Sequence, residues 1–549
     1  MLQVNASREA FDVVVVGSGA TGGWAAKELT EAGMRVALLE AGKKITPKDF
    51  NEHAQPWQLP YLGLSPKIMA DRPIQGRCYA CTEYNYQWFV NDRENPYIQA
   101  KPFSWIRQRV LGGRSMSWGR QSYRLGNLDF KAASHDGYDV DWPISHEDLV
   151  PYYEKVERYV GISGQAENLP QLPDSIFLPP MEMTCGETLL KKAMKEKFGR
   201  TLTIGRVAIL TKNHNGRQAC HYCGPCERGC TTFSYFNSPT TTIKDALATG
   251  RLSLITDAVA ARILMKDGKA SGVSYVDAVT KQSREVRGKI LVLCASTLES
   301  TRLLMNSGIC NSSGVLGKYL MDHIYQGGAS GTLPMLEAKP WAGMPRRPNG
   351  IYIPRFRNVR EKTTNGFIRG YGYQGGSSPS FDYGAEGFGA SYKEAVRKGE
   401  WRINLGAWSE CLARKENYVE IAKDQVDAYG IPILRINMEW GDNELKLFED
   451  AREQAVEMLT GAGVKDAEKT GAPSLPGHCI HEVGTARMGN DRKTSVLNKY
   501  NQAHDVENIF VTDGAAWVSQ GCQNPTLTMM AITVRACDYI KNEYAKKVA

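Results

Sequence analysis

The chain has 549 residues, of which 42% are apolar, and its formal net charge is +8. This length predicts two or more lobes, each with its own core. Basic residues are scattered without an arm or cluster, which excludes the usual pattern of a nucleic-acid binder. No apolar stretch reaches the roughly eighteen residues of a membrane span, and the polar start MLQVNASREAFD predicts no secretory signal.

The first predicted elements lie in FDVVVVGSGATGGWAAKELTEAGMRVALLEAG. The β-branched run Val13–Val16 predicts a buried strand, and a second apolar run ends at Glu40. Gly17 permits a tight turn, Gly19 lets backbone approach a pyrophosphate, and Gly22 packs the following helix on the strand. Glu40 is placed to accept hydrogen bonds from a ribose. The pattern predicts half of a Rossmann-like sheet and does not distinguish NAD from FAD.

A short cysteine pair follows in GRCYACTEYNYQWFV. Cys78 and Cys81 form a C-x-x-C motif. We interpret them as two thiols in a loop, with a redox disulfide or an extra pair of metal ligands as the alternatives.

RQACHYCGPCERGC, residues 217–230, places four cysteines within eleven residues. The spacing C-x2-C-x2-C-x3-C is that of ferredoxin-type iron–sulfur ligands. Structural zinc usually draws two ligand pairs with a dozen or more residues between them, so the spacing favours a cluster. Zinc, unliganded thiols and a disulfide remain as alternatives. The candidate ligands are Cys220, Cys223, Cys226 and Cys230.

The middle of the chain, about 325–470, carries no recognisable motif. The stretch GYGYQGGSSPSFDYGAEGFGASY, residues 370–392, predicts a mobile surface loop or a lid over the active site. Aromatic side chains of this region suit stacking on sugar rings, although such residues also fill cores. They include Trp341, Tyr371, Tyr373, Trp401 and Trp408.

The last predicted elements are a strand in NIFVTDGAAW, ending at Asp513, and a helix in NPTLTMMAITVRACDYI, opened by Asn524 and Pro525. The positive end of that helix would point at whatever lies beyond the strand.

Residues 481–540 resemble the C-terminal signature of the glucose–methanol–choline oxidoreductase family, whose members hold FAD. The resemblance extends to VLGGRSMSWGRQSYR (110–124), similar to the family's flavin loop, and to LVLCASTLESTRLLMNSG (291–308), similar to its strand–turn–helix near the adenine. The segments DWPISHEDLVPYYEKVE and GKYLMDH match its linkers. The resemblance implies an α/β fold with a Rossmann-like FAD-binding domain and a second, mainly antiparallel-sheet substrate domain.

The resemblance also implies the roles of individual residues. His481, in H-x-x-G-T, would take the proton of an alcohol hydroxyl. Asn524 holds the position of the second catalytic residue and, since an amide is no base, would orient that hydroxyl. Some relatives attach FAD through a histidine where this chain has Ser117, so we expect non-covalent FAD. The further FAD contacts implied are Gly112, Gly113, Ser117, Val259, Asp513 and Thr526.

The cysteines resemble those of one branch, the fructose and FAD-dependent glucose dehydrogenase catalytic subunits, which hold a three-iron cluster. Only the final spacing, Cys226 to Cys230, is clearly shared, so the cluster is expected as 3Fe-4S or 4Fe-4S. We predict oxidation of a secondary hydroxyl of a sugar or glycoside, at C3 ahead of C2, with electrons passed to a cytochrome or quinone. A long-chain alcohol or sterol oxidoreductase and a non-catalytic FAD-binding subunit are the alternatives.

The same branch works with a small chaperone-like subunit that bears a twin-arginine signal, and with cytochrome c. This implies a periplasmic location by co-export, with a cytoplasmic enzyme as the alternative. We expect an FAD-binding domain built from residues 1–60, 100–150, 235–325 and 470–549. An insertion with the cysteine cluster would occupy 150–234, and the substrate domain 325–470.

Overall fold

The computed structural model describes residues 5–6, 10–59, 70–338, 347–382 and 384–548, so Trp341 lies outside the described residues. The helices are α1 (Ala20–Glu31), α2 (Asn127–Phe130), α3 (Ala132–Asp136), α4 (His146–Val160), α5 (Cys185–Phe198), α6 (Thr242–Ala248), α7 (Thr297–Ser307), α8 (Gly389–Arg397), α9 (Asp442–Gly461), α10 (Thr526–Tyr539) and α11 (Ala545–Val548).

The strands of the first half of the chain come first. They are β1 (Asn5–Ala6), β2 (Phe11–Val16), β3 (Val36–Leu39), β4 (Ile98–Gln99), β5 (Ile162–Ser163), β6 (Phe177–Leu178), β7 (Thr203–Ile204), β8 (Leu252–Ile255), β9 (Ala258–Lys266), β10 (Lys269–Asp277) and β11 (Ser283–Leu293). The remaining strands are β12 (Ile324–Glu337), β13 (Ile351–Ile353), β14 (Tyr371–Ser380), β15 (Glu400–Ser409), β16 (Tyr418–Val426), β17 (Pro432–Asn437), β18 (Lys465–Thr470) and β19 (Ile509–Val511).

The first large sheet has the order β8-β3-β2-β11-β10-β9, and β19 pairs with β11. The pairs that join β8, β3, β2, β11 and β19 are parallel. Val13–Val16 and Val36–Leu39 are buried throughout, as expected for parallel strands covered on both faces. This sheet confirms the predicted Rossmann-like domain.

The second sheet has the order β18-β12-β15-β14-β13-β7 and is antiparallel throughout. Helices α5 and α9 pack their apolar residues against it, among them Leu190, Met194, Leu447 and Met458. The predicted second, mainly antiparallel domain is thereby confirmed.

The prediction of a mobile loop or lid at 370–392 is wrong for its first half. Residues Tyr371–Ser380 form β14, which lies between β13 and β15. Glycine serves close strand packing here: a Cβ on Gly375 would lie 2.2 Å from the carbonyl oxygen of Asn404. Only the second half is largely exposed, and it ends in the first turn of α8, a helix that has no buried residue.

Segments assigned to the 150–234 insertion divide between the lobes. Helix α4 packs in the FAD-binding core through Leu149, Tyr153 and Val156, whereas α5 and β7 belong to the substrate lobe. The pair β16–β17, within the predicted substrate domain, places Val419 and Leu434 in the FAD-binding core. In the part of the chain that the structure describes, no helix has the length and apolarity to cross a membrane.

One glycine of the second sheet provides a test of its packing. Gly328 of β12 pairs with Gly406 of β15, and a Cβ on Gly328 would lie 1.8 Å from the carbonyl oxygen of Leu405. Gly328→Ala should therefore lower the free energy of unfolding by about 1–3 kcal/mol or more. Gly406→Ala is the matched control, because its Cβ would meet nothing closer than 3.8 Å. Equal urea midpoints for the two variants would contradict this packing.

Candidate active site

A cavity of about 730 Å³ lies along the carboxyl ends of the parallel strands. Residues one or two positions after β2, β3, β11 and β19 line it, namely Gly17, Glu40, Cys294 and Asp513. In open α/β sheets ligands bind at this edge. The substrate lobe closes the other side with residues of β12, β14 and β15.

The predicted fingerprint glycines take three different positions. Gly17 has φ +96°, and a Cβ there would lie 2.4 Å from the carbonyl oxygen of Cys294. Gly19 is the N-cap of α1, lines the cavity and has no atom within 4 Å of its would-be Cβ. Gly22 lies beneath the turn, against the Gly17 carbonyl. The open cradle at Gly19 and the unpaired amides of the α1 N-terminus suit a phosphate group.

Glu40 lines the cavity but already has partners in the protein. Its carboxylate accepts hydrogen bonds from the amide of Gly42, at 2.7 Å, and from the amide and hydroxyl of Ser18. Burial raises the pKa of Glu40, and these hydrogen bonds oppose the rise. The Ser18 hydroxyl in turn accepts from the amide of Gly112 at 2.8 Å, which ties the fingerprint turn to the flavin loop.

The flavin loop forms a wall of the same cavity. Gly113, Ser117 and Val259 line it, while Gly112, at φ +93°, faces the ring of Pro239 and lies outside the lining. The Ser117 hydroxyl donates to the side-chain oxygen of Gln108 at 2.8 Å. No nucleophile for a covalent flavin link stands at that position.

The C-terminal elements meet the cavity through Asp513 and the start of α10. Asp513 follows β19, and its carboxylate accepts hydrogen bonds from Ser300 and from the amide of Ala515. Burial raises its pKa to about 6. Helix α10 begins at Thr526, after Pro525, and both residues line the cavity. Its positive end faces the cavity and favours negative charge there.

His481 and Asn524 lie side by side at the bottom of this space. The Asn524 amide nitrogen is 3.3 Å from His481 Nε2. Gln374 of β14 donates to the Asn524 amide oxygen at 2.8 Å, which leaves the NH₂ group of Asn524 directed at the histidine. One polar atom placed against both would contact a ring nitrogen and an amide donor at once.

The surroundings of His481 keep its ring neutral. Burial, followed by His323 and Arg114, holds the pKa of His481 well below its usual value. Asp322 accepts the backbone amide of His481 at 3.0 Å and that of Gly477 at 2.8 Å. The Arg114 guanidinium is paired with Glu482 at 2.7 Å. The ring is therefore available as a proton acceptor at neutral pH.

The predicted sugar-stacking aromatics separate into two groups. Trp408 lines the cavity beside Tyr325, with the ring centroids 5.8 Å apart. Trp401, Tyr371 and Tyr373 belong to the buried core under α5 and α9. Stacking on a ligand is therefore open to Trp408 and closed to these three.

The four clustered cysteines line a separate small cavity, together with His221, Tyr235 and Pro348. All are free thiols, and burial raises the pKa of Cys223 to about 11. Positive φ angles at Tyr222, Gly224 and Gly229 turn the chain around this space. No three of the four sulfurs lie within 4.8 Å of one another, whereas tetrahedral zinc at 2.3 Å would hold them about 3.8 Å apart.

Cys78 and Cys81 are buried free thiols. Burial raises the pKa of both, that of Cys81 to about 12. Cys78 lines the large cavity and Cys81 does not. This state matches the interpretation as two loop thiols.

Sequence reasoning missed four residues that shape the site. Gln374 was hidden in a stretch assigned to a loop, and Tyr325 follows the linker GKYLMDH by two residues. The same linker ends in His323, and the flavin loop contains Arg114. His323 and Arg114 lie within recognised family motifs, so their place in those motifs was the signal that could have identified them.

A fingerprint turn, a flavin loop and a neutral histidine beside an amide define the class, a flavin-dependent alcohol oxidoreductase. The GMC oxidoreductase profiles match residues 11–325 and 413–533. The chain belongs to the GMC oxidoreductase family, which implies FAD. The open cradle at Gly19 and the anion-favouring ends of α1 and α10 fit that cofactor.

Three full-length relatives are similar to this chain. A 2-methyl-1,2-propanediol dehydrogenase of Mycolicibacterium austroafricanum is 30% identical, over 98% of this chain and 96% of its own length. The fructose dehydrogenase large subunit of Gluconobacter japonicus is 26% identical over 97% and 98%. The gluconate 2-dehydrogenase flavoprotein of Pantoea cypripedii is 25% identical over 97% and 94%.

Two solved structures share the fold. A pyridoxine 4-oxidase from Mesorbium loti has a TM-score of 0.61 at 18% identity and covers 96% of this chain and 98% of its own. A formate oxidase from Aspergillus oryzae RIB40 has a TM-score of 0.63 at 16% identity, over 98% and 100%.

The open cradle gives a test of cofactor binding. Gly19→Ala should leave the thermal midpoint of the cofactor-free protein unchanged, because its Cβ meets no protein atom within 4 Å. It should weaken FAD binding about tenfold or more, since the methyl group blocks close approach of a phosphate. Fluorescence titration of apoprotein with FAD measures the FAD affinity of Gly19→Ala and of wild type, and Gly406→Ala is the control. Equal FAD affinity of Gly19→Ala and wild type would place the pyrophosphate elsewhere.

Proposed function

We propose that this chain is a dehydrogenase for a hydroxyl group of a sugar or glycoside, with C3 of the ring as the first candidate position. The electrons would leave through an iron–sulfur cluster held by Cys220, Cys223, Cys226 and Cys230, toward a cytochrome or quinone. The observation that carries the proposal is the pairing of neutral His481 Nε2 with the Asn524 amide, under a wall of aromatic and amide side chains.

The chemistry follows from what each side chain can accept or donate. FAD, when bound, accepts the two electrons and the hydrogen that leave the alcohol carbon. His481 Nε2 takes the hydroxyl proton, because burial keeps its pKa low and the ring therefore unprotonated and free to accept. The Asn524 NH₂ group donates to the alcohol oxygen and so holds it at the base. Arg114 and Glu482 compensate each other's charge beside the site.

The cavity wall supports a polyhydroxylated substrate. Tyr325 and Trp408 offer ring faces, and Gln326 and Gln374 offer amides that pair with hydroxyls. Stacking of sugar rings on aromatic faces with amides at the rim is a common mode of sugar binding. Two of the full-length relatives are named for fructose and gluconate, which supports a sugar-type substrate.

A second candidate is a small vicinal diol. It is favoured by the 2-methyl-1,2-propanediol dehydrogenase, which is 30% identical over nearly the whole of both chains. The same His481–Asn524 pair would serve this reaction, so any panel of test substrates must include the diol.

The geometry of the cysteine pocket supports the cluster. The sulfurs are free of disulfides, and no three of them lie within 4.8 Å of one another. No carboxylate lines the pocket, whose other walls are Ile209, His221, Ser234, Tyr235 and Pro348. An iron–sulfur cluster, when bound, transfers single electrons, which suits a one-electron acceptor.

A residue of the cysteine pocket contacts the flavin loop and a residue of the large cavity. Tyr235 lines the cysteine pocket and donates its hydroxyl proton to the carbonyl of Met116 in the flavin loop. Arg120 lines the flavin cavity, and its guanidinium carbon lies 5.6 Å from the centroid of the Tyr235 ring. Burial acts to lower the pKa of Arg120, but nearby groups, Cys226 first among them, raise it. These contacts place the two cavities next to each other, which supports electron passage between the two centres.

Partners and location follow from the same proposal. One relative is named a large subunit, which supports an assembly with a small chaperone-like subunit and a cytochrome c acceptor. Export with a signal-bearing partner would place the protein in the periplasm, and a cytoplasmic enzyme is the alternative.

The base is tested by the rate of flavin reduction. Glucose, a methyl glucoside, fructose, gluconate and 2-methyl-1,2-propanediol are mixed anaerobically with holoenzyme. His481→Ala should keep FAD but slow reduction by about 10²- to 10⁴-fold. In wild type the rate should stay level as the pH falls through about 6.5, because the low pKa of His481 keeps the ring unprotonated.

The control for that experiment is His135→Ala, which removes a histidine outside the cavity and should leave the rate unchanged. Unchanged reduction in His481→Ala would show that another group is the base. A 3-keto product, identified by NMR, would establish the C3 position. Reduction by the diol alone would overturn the sugar assignment.

The cluster is tested by metal analysis. Anaerobically purified protein should contain iron and acid-labile sulfide in cluster amounts per flavin, and Cys226→Ala should lose most of both while retaining FAD. Cys185→Ala, at an exposed cysteine outside the pocket, is the control and should retain both. Zinc in stoichiometric amount, or no metal, would contradict the proposed electron route.

A further inference from the structure

His323 is a buried histidine in contact with the base. It directly precedes β12, is fully buried, and its Nδ1 lies 3.0 Å from His481 Nδ1. We infer that His323 is a positioning residue: it holds the proton of neutral His481 on Nδ1 and thereby keeps the Nε2 lone pair directed at the substrate. The inference rests on the proposed role of His481 as the proton acceptor.

The first fixed point is a backbone carbonyl. His323 Nε2 lies 2.7 Å from the carbonyl oxygen of Gly521. A carbonyl oxygen only accepts hydrogen bonds, so Nε2 of His323 must carry a proton. In a neutral imidazole the other nitrogen, Nδ1, is then an acceptor.

The second fixed point is a backbone amide, and it is independent of the first. The amide of Cys411 donates to the side-chain oxygen of Gln520 at 3.3 Å. This sets the orientation of the Gln520 amide, so its NH₂ group faces His323 Nδ1, at 3.2 Å. Nδ1 of His323 must again be the acceptor. Two backbone groups at opposite ends of the network thus require the same tautomer of His323.

The tautomer of His481 follows. Two nitrogen lone pairs would repel each other at 3.0 Å, so the proton between the rings belongs to His481 Nδ1. The sulfur of Cys479 lies 3.2 Å from the same nitrogen and is a second, weaker acceptor for its N–H group. His481 Nε2 is left with its lone pair on the side of Asn524. This is the nitrogen that a substrate hydroxyl can reach.

A charged His323 would reverse this arrangement, because its Nδ1 would donate to His481. Burial excludes that state at neutral pH and lowers the pKa of His323 to about 4. The other ionisable groups around the two rings are Asp322, Cys479 and the Glu482–Arg114 pair. Arg114 opposes a positive charge on His481 as well.

The direct test is a neutron crystal structure of the deuterated, oxidised holoenzyme near pH 8. Deuterons should lie on Nε2 of His323 and on Nδ1 of His481, with none on Nε2 of His481. A deuteron on Nε2 of His481, or on Nδ1 of His323, would overturn the inference. Because no substrate is involved, this result is independent of whether the proposed function is correct.

Two substitutions test the consequence for the reaction. His323→Asn keeps an acceptor oxygen near the position of Nδ1, whereas His323→Leu removes it at similar volume. Flavin reduction should slow by about 10- to 100-fold in His323→Leu, a part of what a positioned base supplies, with substrate affinity nearly unchanged. His323→Asn should stay within about threefold of wild type.

His146→Leu is the matched control, since His146 also bonds a carbonyl, that of Leu125 at 2.8 Å, but lies outside the cavity. It should reduce flavin at the wild-type rate. Wild-type rates in His323→Leu would overturn the inference. So would equal slowing in His323→Asn and His323→Leu, because a purely structural role makes no distinction between an acceptor and a methyl group.

Discussion

The whole site depends on the parallel alignment of β2, β3, β11 and β19. Their carboxyl ends meet at one edge of the sheet, so Gly17 and Glu40 line one cavity with Asp513, which lies hundreds of residues further along the chain. Parallel strands covered on both faces carry buried apolar side chains at successive positions, and Val13–Val16 and Val36–Leu39 do so here. The cofactor cradle is therefore fixed by the same valines that form the core.

The substrate lobe adds acid–base groups to this cradle. Gln374 of β14 orients Asn524, and His323, just before β12, contacts His481. The His481 ring is thus contacted on one side by His323 and on the other by Asn524, whose orientation is set by Gln374. The burial that lowers the pKa of His481 also leaves the Nδ1 side of its ring to a few protein neighbours, His323 and Cys479.

Local patterns predicted the features that depend on local geometry. The valine run and the glycine spacing identified β2 and its turn, and Asn524–Pro525 marked the start of α10. Strand β14 was missed because glycines indicate loops unless the partner strand is known. Here the partner is β15, whose Asn404 carbonyl packs closely against Gly375. Trp401 and Trp408 are seven residues apart on one strand, so they face opposite sides. That distinction, like the role of His323, depends on contacts distant in sequence.

The central claim is that two electrons enter at the flavin and leave singly through the cysteine site. The most direct measurement adds substrate to anaerobic holoenzyme and freezes samples over time for low-temperature EPR and visible spectra. The account predicts that flavin bleaching is followed by a change in the cluster signal, and that both recover on adding oxidised cytochrome c. Bleaching without any cluster signal, with recovery by oxygen alone, would contradict it.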